Sequence, residues 1–214
     1  MNDERDRQHR IVGARHAVPL QDNSQRRHRR SIRLLGYDYS QAGAYFVTVC
    51  AHDRMCLFGE IADGKMRLNE AGRIVQQCWN QIPEHFPHVE LGEFIVMPNH
   101  VHGIVVIAET PNVGARHAVP LPEKFCKPVP GSIPTIVRSF KSAVTKRINE
   151  MRGTPGVPVW QRNYYEHVIR NDESLHCIRE YIINNPLQWD MDRENMIFGA
   201  GLKPAPTGNE PWRI

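Results

Sequence analysis

The chain has 214 residues, 41% of them hydrophobic, and a mean hydropathy of −0.49, which suits one soluble domain with polar extensions. Its net charge of +4 at pH 7 permits contact with nucleic acid without requiring it. No apolar run approaches a membrane span, the first residues are charged rather than signal-like, and Cys50, Cys56, Cys78, Cys126 and Cys177 form no Cys-x-x-Cys pair, so the composition argues against a membrane protein, a disulfide scaffold or a cysteine zinc site and points to the cytoplasm.

Residues 1–30 end in QRRHRR and lack apolar periodicity, the pattern of a disordered basic tail. Arg26, Arg27, Arg29 and Arg30 either grip phosphates or are simply solvated. The domain occupies residues 31–197. Tyr45–Cys50 is a first strand, and Cys56–Leu68 a hairpin turning at Asp63-Gly64. Asn69–Phe86 reads as an amphipathic helix with Ile74, Val75, Cys78, Trp79 and Ile82 as its buried stripe, and Pro83 ends its regular part. Glu90–Met97 and His100–Ala108 are strands joined at Pro98-Asn99. Residues 110–131 form a proline-rich inserted loop.

Ser132–Met151 is a second helix, with Ile136, Phe140, Ala143, Val144 and Ile148 toward the core. Arg138, Lys141, Lys146 and Arg147 make a basic face, suited to a phosphate backbone or equally to water. Val159–Ile169 is a last strand, on which Tyr164 and Tyr165 point to opposite faces; one is core, and we take Tyr165 as the possible base-stacking platform. A final helix starts at a cap on Asp172 or Ser174 and carries Leu175, Ile178 and Ile182 at helical spacing. Residues 198–214 are a Pro/Gly-rich tail. Strand, helix, two strands, helix, strand gives an α+β, ferredoxin-like antiparallel sheet with helices packed mainly on one face.

Two stretches carry chemistry. In MPNHVHGIVVI, His100 and His102 flank Val101 at the start of a β-branched run. Side chains at i and i+2 of a strand share a face, so the two imidazoles leave together and form half of a metal site. The structural alternative is a strand with two polar residues on a wet face. Tyr181 and Asn185 are four apart and share a helix face, with Pro186 placing Asn185 at or just past the last turn. Tyr181 offers a phenol nucleophile and Asn185 a carbonyl oxygen for a metal; an ordinary Tyr packed at a helix end is the alternative.

Six pieces stand in one order: YFVTVC at Tyr45–Cys50, GEIADGKMRLNEAG at Gly59–Gly72, FIVMPNHVHGIVVI at Phe94–Ile107, SFKS at Ser139–Ser142, VWQRNYYEHVIR at Val159–Arg170 and YIINNP at Tyr181–Pro186. No piece alone is specific. The ordered set, spanning roughly Arg33 to Asp192, resembles the single-tyrosine transposases of the HUH (His-hydrophobic-His) endonuclease superfamily, and within it the REP-associated tyrosine transposases. The resemblance implies an HUH-type fold with the histidines on a central strand and the tyrosine helix lying across them. It implies that Tyr181 attacks DNA and that a polar residue four positions later completes a metal site with His100 and His102. Related insertion-sequence enzymes often carry Gln there; Asn185 is one methylene shorter. The implied cofactor is Mg²⁺ or Mn²⁺, the latter favoured by two imidazoles.

The implied activity is cutting and transfer of single-stranded or hairpin DNA through a 5′-phosphotyrosine, by a monomer or homodimer with no membrane partner. The other class is an inactive or domesticated hairpin DNA-binding protein on the same scaffold. Glu166, His167 and Arg170 match the YEHVIR piece, and Arg170 is a further candidate DNA contact.

An internal repeat stands apart from these elements. VGARHAVPL occurs at Val12–Leu20 and again at Val113–Leu121, in surroundings without strand or helix periodicity. The string GTAGGGGCACGGCATGCCGTGCCCCTAC encodes that nonapeptide and is its own reverse complement. GAGLKPAPT at Gly199–Thr207 can likewise be written with the same GGGGC and GCCCC arms. The expectation is that palindromic DNA entered the gene at three places and was translated, and that loops and tails tolerated it. Sequencing the gene checks this: both nonapeptide copies should show pairing arms, and unrelated codons in the two copies would end the idea.

Overall fold

The computed structural model describes residues 37–109, 129–192 and 195. Residues 1–36, both nonapeptide copies, Arg26, Arg27, Arg29, Arg30, Cys126 and the tail from residue 196 lie outside the described residues.

Strand β1 (Gly43–Cys50) is buried on both faces, which makes it a central strand. It is followed by the hairpin β2 (Gly59–Ala62) and β3 (Lys65–Leu68). Asp63 and Gly64 both have positive φ at the turn, as a two-residue hairpin turn of mirror-image type requires. Helix α1 (Glu70–Asn80) is capped by Asn69, whose side chain accepts the Gly72 N–H at 2.9 Å. It ends before Pro83, which sits in the first turn of a separate short helix α2 (Ile82–His85); the proline thus divides the expected single helix. Strands β4 (Val89–Val96) and β5 (His100–Ile107) form a hairpin closed by a Met97 N–H to His100 carbonyl bond of 2.8 Å. Helix α3 (Ile133–Arg152) ends on Gly153 at φ 64°, the left-handed stop that glycine adopts freely.

Strand β6 is Tyr165–Ile169, shorter than the Val159–Ile169 expected from the sequence. Trp160 makes only an isolated bridge to Ala51. Lys141 explains the early break. Its Nζ donates to the carbonyls of Gln161, Arg162 and Asn163 at 2.6, 3.2 and 3.4 Å, drawing that segment off the ladder. Helix α4 (Asp172–Asn184) follows, and a 3-10 segment (Asn185–Met191) continues it. The cap of α4 is Asn171 rather than Asp172 or Ser174: its side chain accepts the Ser174 N–H at 2.7 Å. Asn171 is extended while both of those lie inside the helix, and only the last non-helical residue can cap.

The main sheet runs β4-β5-β1-β6, every pair antiparallel. With α1 and α3 as its two crossovers this is the ferredoxin-like arrangement, with the β2–β3 hairpin inserted after the first strand. Tyr45, Val47, Val49, Val101 and Val105 meet Val75, Trp79, Ile136, Phe140, Val144 and Ile148 on one face. Phe46, Ile104 and Ile169 meet Ile178 and Ile182 of α4 on the other. Among the described residues most of the helical mass thus lies on the first face, with α4 and the 3-10 segment after it covering the second. Among the described residues no helix is long and apolar enough to cross a membrane.

Gly103 shows how closely α1 approaches the sheet. A Cβ there would stand 2.4 and 2.6 Å from Trp79 ring atoms, and Trp79 is itself stacked on Phe94 at 4.3 Å. Gly103→Ala is therefore expected to destabilise the fold by about 3 kcal/mol through overpacking. Urea denaturation checks this; an unchanged midpoint would show that the indole can move.

Candidate functional site

Strand β5 begins at His100, directly after the Pro98-Asn99 turn. Alternation sends Val101 into the α1/α3 core and both imidazoles to the α4 face. They are not on a wet face: α4 and the 3-10 segment cover them, and His100 and His102 are 0% and 2% exposed. Their Nε2 atoms stand 2.9 Å apart. Behind them, Asn99 Oδ1 lies 2.8 Å from His100 Nδ1, and Thr48 Oγ1 lies 2.8 Å from His102 Nδ1.

Helix α4 is pinned over this pair by Ile178 and Ile182, which places Tyr181 beside them. The Tyr181 hydroxyl is 3.3 Å from His102 Nε2. Its ring meets His102 at 5.1 Å and stands edge-on to Phe46 at 6.1 Å. Asn185 is the first residue of the 3-10 segment and 1% exposed, and among the described residues its Oδ1 has no hydrogen-bond partner. A buried carbonyl oxygen left in that state is costly unless something outside the chain takes it. Trp189 brings the 3-10 segment to 6.0 Å from the His100 ring.

Asp192 belongs to this cluster and was missed in the sequence. Its Oδ2 lies 3.8 Å from His100 Nε2, with its side chain 5% exposed. Ligand atoms of His100, His102 and Asp192 all fall within 4.8 Å of one another, a group that could hold a metal. The one signal was its place seven residues beyond Asn185, two helical turns along; Pro186 argued against continuing the helix that far.

Two imidazole nitrogens and a carboxylate oxygen are donors that a divalent cation can accept.

The other sequence candidates divide by face. Tyr165 sits on the site face, with its ring 6.3 Å from Phe46. Tyr164 and Glu166 point the other way, Tyr164 packing against the α1/α3 core and Glu166 lying opposite Val47. Arg170 is exposed where β6 passes into α4. Arg138, Lys146 and Arg147 are exposed on α3, which the sheet separates from Tyr181; Lys146 pairs with Glu150 at 3.9 Å and Arg147 bonds Gln81 at 2.8 Å. Lys141 serves the backbone carbonyls already described, and burial pulls its amine down to about 8.

The fold is thus a ferredoxin-like antiparallel sheet with a His-Val-His pair on a central strand, lying beneath a tyrosine-bearing helix. No protein-family model matches the chain. An uncharacterised protein of Haemophilus influenzae is 45% identical over 171 residues, covering 78% of this chain and 92% of that protein. A second protein of the same organism, which bears the name of REP-associated tyrosine transposase, is 26% identical over 151 residues, covering 71% and 74%. A solved structure of a REP-associated tyrosine transposase bound to a REP hairpin is similar with a TM-score of 0.49 and 19% identity, over 73% of this chain and 74% of that one. The chain thus resembles the REP-associated tyrosine transposases.

Proposed function

We propose that the chain is a metal-dependent single-stranded DNA endonuclease and strand transferase, acting at hairpin-forming repeats through a phosphotyrosine link. The observation that carries this is the Tyr181 hydroxyl at 3.3 Å from His102 Nε2, beside the grouped His100, His102 and Asp192 side chains. Resemblance to the REP-associated tyrosine transposases supports repeat DNA as the substrate.

His100, His102, Asn185 and Asp192 would hold Mg²⁺ or Mn²⁺, which when bound polarises the scissile phosphate and stabilises charge on the leaving oxygen. A phenol has a pKa near 10 and is a weak nucleophile at neutral pH, so its placement must supply much of the rate. Helix α4 fixes Tyr181 Oη at the site; this oxygen attacks phosphorus and gives up its proton. The P–O3′ bond breaks, the 3′ oxygen leaves as a hydroxyl, and the phosphate remains on Tyr181 as a 5′-phosphotyrosine. One diester replaces another, so rejoining to a second 3′-hydroxyl needs no external energy source. Tyr165 stacks a base on the same face and exposed Arg170 takes a phosphate. Arg26, Arg27, Arg29 and Arg30 could add phosphate contacts, and the α3 arginines and Lys146 could do so only for DNA that passes round the sheet.

Incubating the purified protein with Mn²⁺ and a hairpin oligonucleotide bearing a single-stranded extension should yield a covalent protein–DNA adduct. Mass spectrometry should place it on Tyr181, and EDTA should suppress it. Hairpin binding without cleavage under any divalent cation would instead identify a DNA-binding protein on this scaffold. An adduct on Tyr164 or Tyr165 would overturn the choice of nucleophile.

A further inference from the structure

Helix α4 meets the sheet along a short apolar line. Ile178 and Ile182 are its buried residues, and Leu175 packs beside them. At 3.6 residues per turn, Arg179 and Tyr181 stand on opposite flanks of the Ile178–Ile182 line, each about 80° from its centre. On one flank the Tyr181 hydroxyl reaches His102 Nε2 at 3.3 Å. On the other, Arg179 Nε donates to Glu93 Oε2 of β4 at 2.9 Å.

Glu93 is brought to α4 by an irregularity in β4. Leu91 pairs with Val105 and Phe94 with Gly103, so Gly92 and Glu93 together stand against Ile104. Two residues opposite one make a β-bulge, a device that re-aims side chains beside functional sites. Leu91 and Phe94, three apart, accordingly both pack toward the α1/α3 core, which the alternation of an unbroken strand forbids. Gly92 suits the close approach, since a Cβ there would lie 3.0 Å from Ile104 Cβ. Ile104 in turn packs with Ile178 and Ile182, so the bulge lies beneath the helix that carries Tyr181.

We propose that Glu93 and Arg179 are positioning residues for Tyr181, an ionic clamp that fixes the roll of α4 and so keeps the phenol over His102. An apolar line resists sliding better than it resists rotation about its own length. A roll of about 10° moves a group about 6 Å from the helix axis by about 1 Å, and a misplacement of that size can cost about 10²-fold in rate. The clamp biases the roll only by its own strength. With Arg179 47% and Glu93 31% exposed, that strength is modest, and it should show in the reaction more than in the melting point. The proposal deepens the reading of Tyr181 as nucleophile and rests on it, although the placement of the ring can be observed without any reaction.

Glu93→Gln keeps the cation of Arg179, so a slower reaction in this variant cannot come from a lost phosphate contact. With the full chain, Mn²⁺ and saturating hairpin oligonucleotide, adduct formation should slow by about 2–5-fold in Glu93→Gln and in Arg179→Gln, the scale of one partly exposed ion pair. Hairpin affinity of Glu93→Gln should match the parent, and its melting point should stay within about 4 °C. Combining Glu93→Arg with Arg179→Glu should recover the rate that Glu93→Arg loses by itself. A pair that served stability alone would move the melting point and leave the rate at saturating DNA unchanged. Labelling Tyr181 as 3-fluorotyrosine gives a second readout: in the metal-free protein its ¹⁹F resonance should shift toward that of an exposed tyrosine in Glu93→Gln. Parental rates in both single variants would overturn the clamp, and so would an unchanged ¹⁹F resonance. A shifted resonance in a protein that forms no adduct under any divalent cation would sustain the clamp and overturn the nucleophile reading instead.

Discussion

Tyr181→Phe should reduce strand cleavage by roughly 10⁴-fold or more, the scale of losing a nucleophile, and should abolish the covalent adduct. Hairpin binding should stay within about twofold of the parent, because the ring keeps its edge-on contacts with Phe46 and His102 and only the attacking oxygen is lost. Tyr165→Phe should leave cleavage nearly intact, since a phenyl ring still stacks. Electrophoresis of denatured adducts beside a binding titration separates the two effects. Retained cutting in Tyr181→Phe would move the nucleophile elsewhere.

Replacing both His100 and His102 by Ala should eliminate Mn²⁺ binding and the cleavage that depends on it. The two rings are buried, and His102 also stacks on Phe46 at 5.4 Å, so truncation to Ala leaves a cavity. A stability cost of about 1–3 kcal/mol is expected for each single variant. The companions His100→Gln and His102→Gln fill more of that space without an imidazole. They should lose metal-dependent cleavage while melting closer to the parent. Asn185→Ala should weaken cleavage less, and Asp192→Ala should weaken Mn²⁺ binding even with all three other donors present. Full activity in the double histidine variant would remove the metal from the mechanism.

Much of this was legible because it depends on neighbours only a few residues apart. The Asp63-Gly64 turn needs positive φ and has the residues for it. The His100-Val101-His102 alternation needs only a strand, and the Tyr181–Asn185 spacing only a helix. Pro83 and Pro186 mark helix ends through missing N–H groups and ring clashes. The β-branched run after His102 gave the central strand its place in the core.

Other features were decided by contacts between distant segments. Lys141 looked like one more cation on a basic face; only the return of residues 161–163 beside α3 shows that it collects three carbonyls and delays β6. Asp192 becomes a neighbour of His100 because the 3-10 segment folds back over β5. Burial of the two histidines depends on α4 settling over them. Helices α1, α3 and α4 each show an apolar stripe in sequence, and such a stripe says that a helix covers a sheet without saying which face. That choice puts the α3 cations on one side of the sheet and Tyr181 on the other, and it was made by packing: Trp79 and Phe140 fill one face, leaving the other to Ile178, Ile182 and the tyrosine between them.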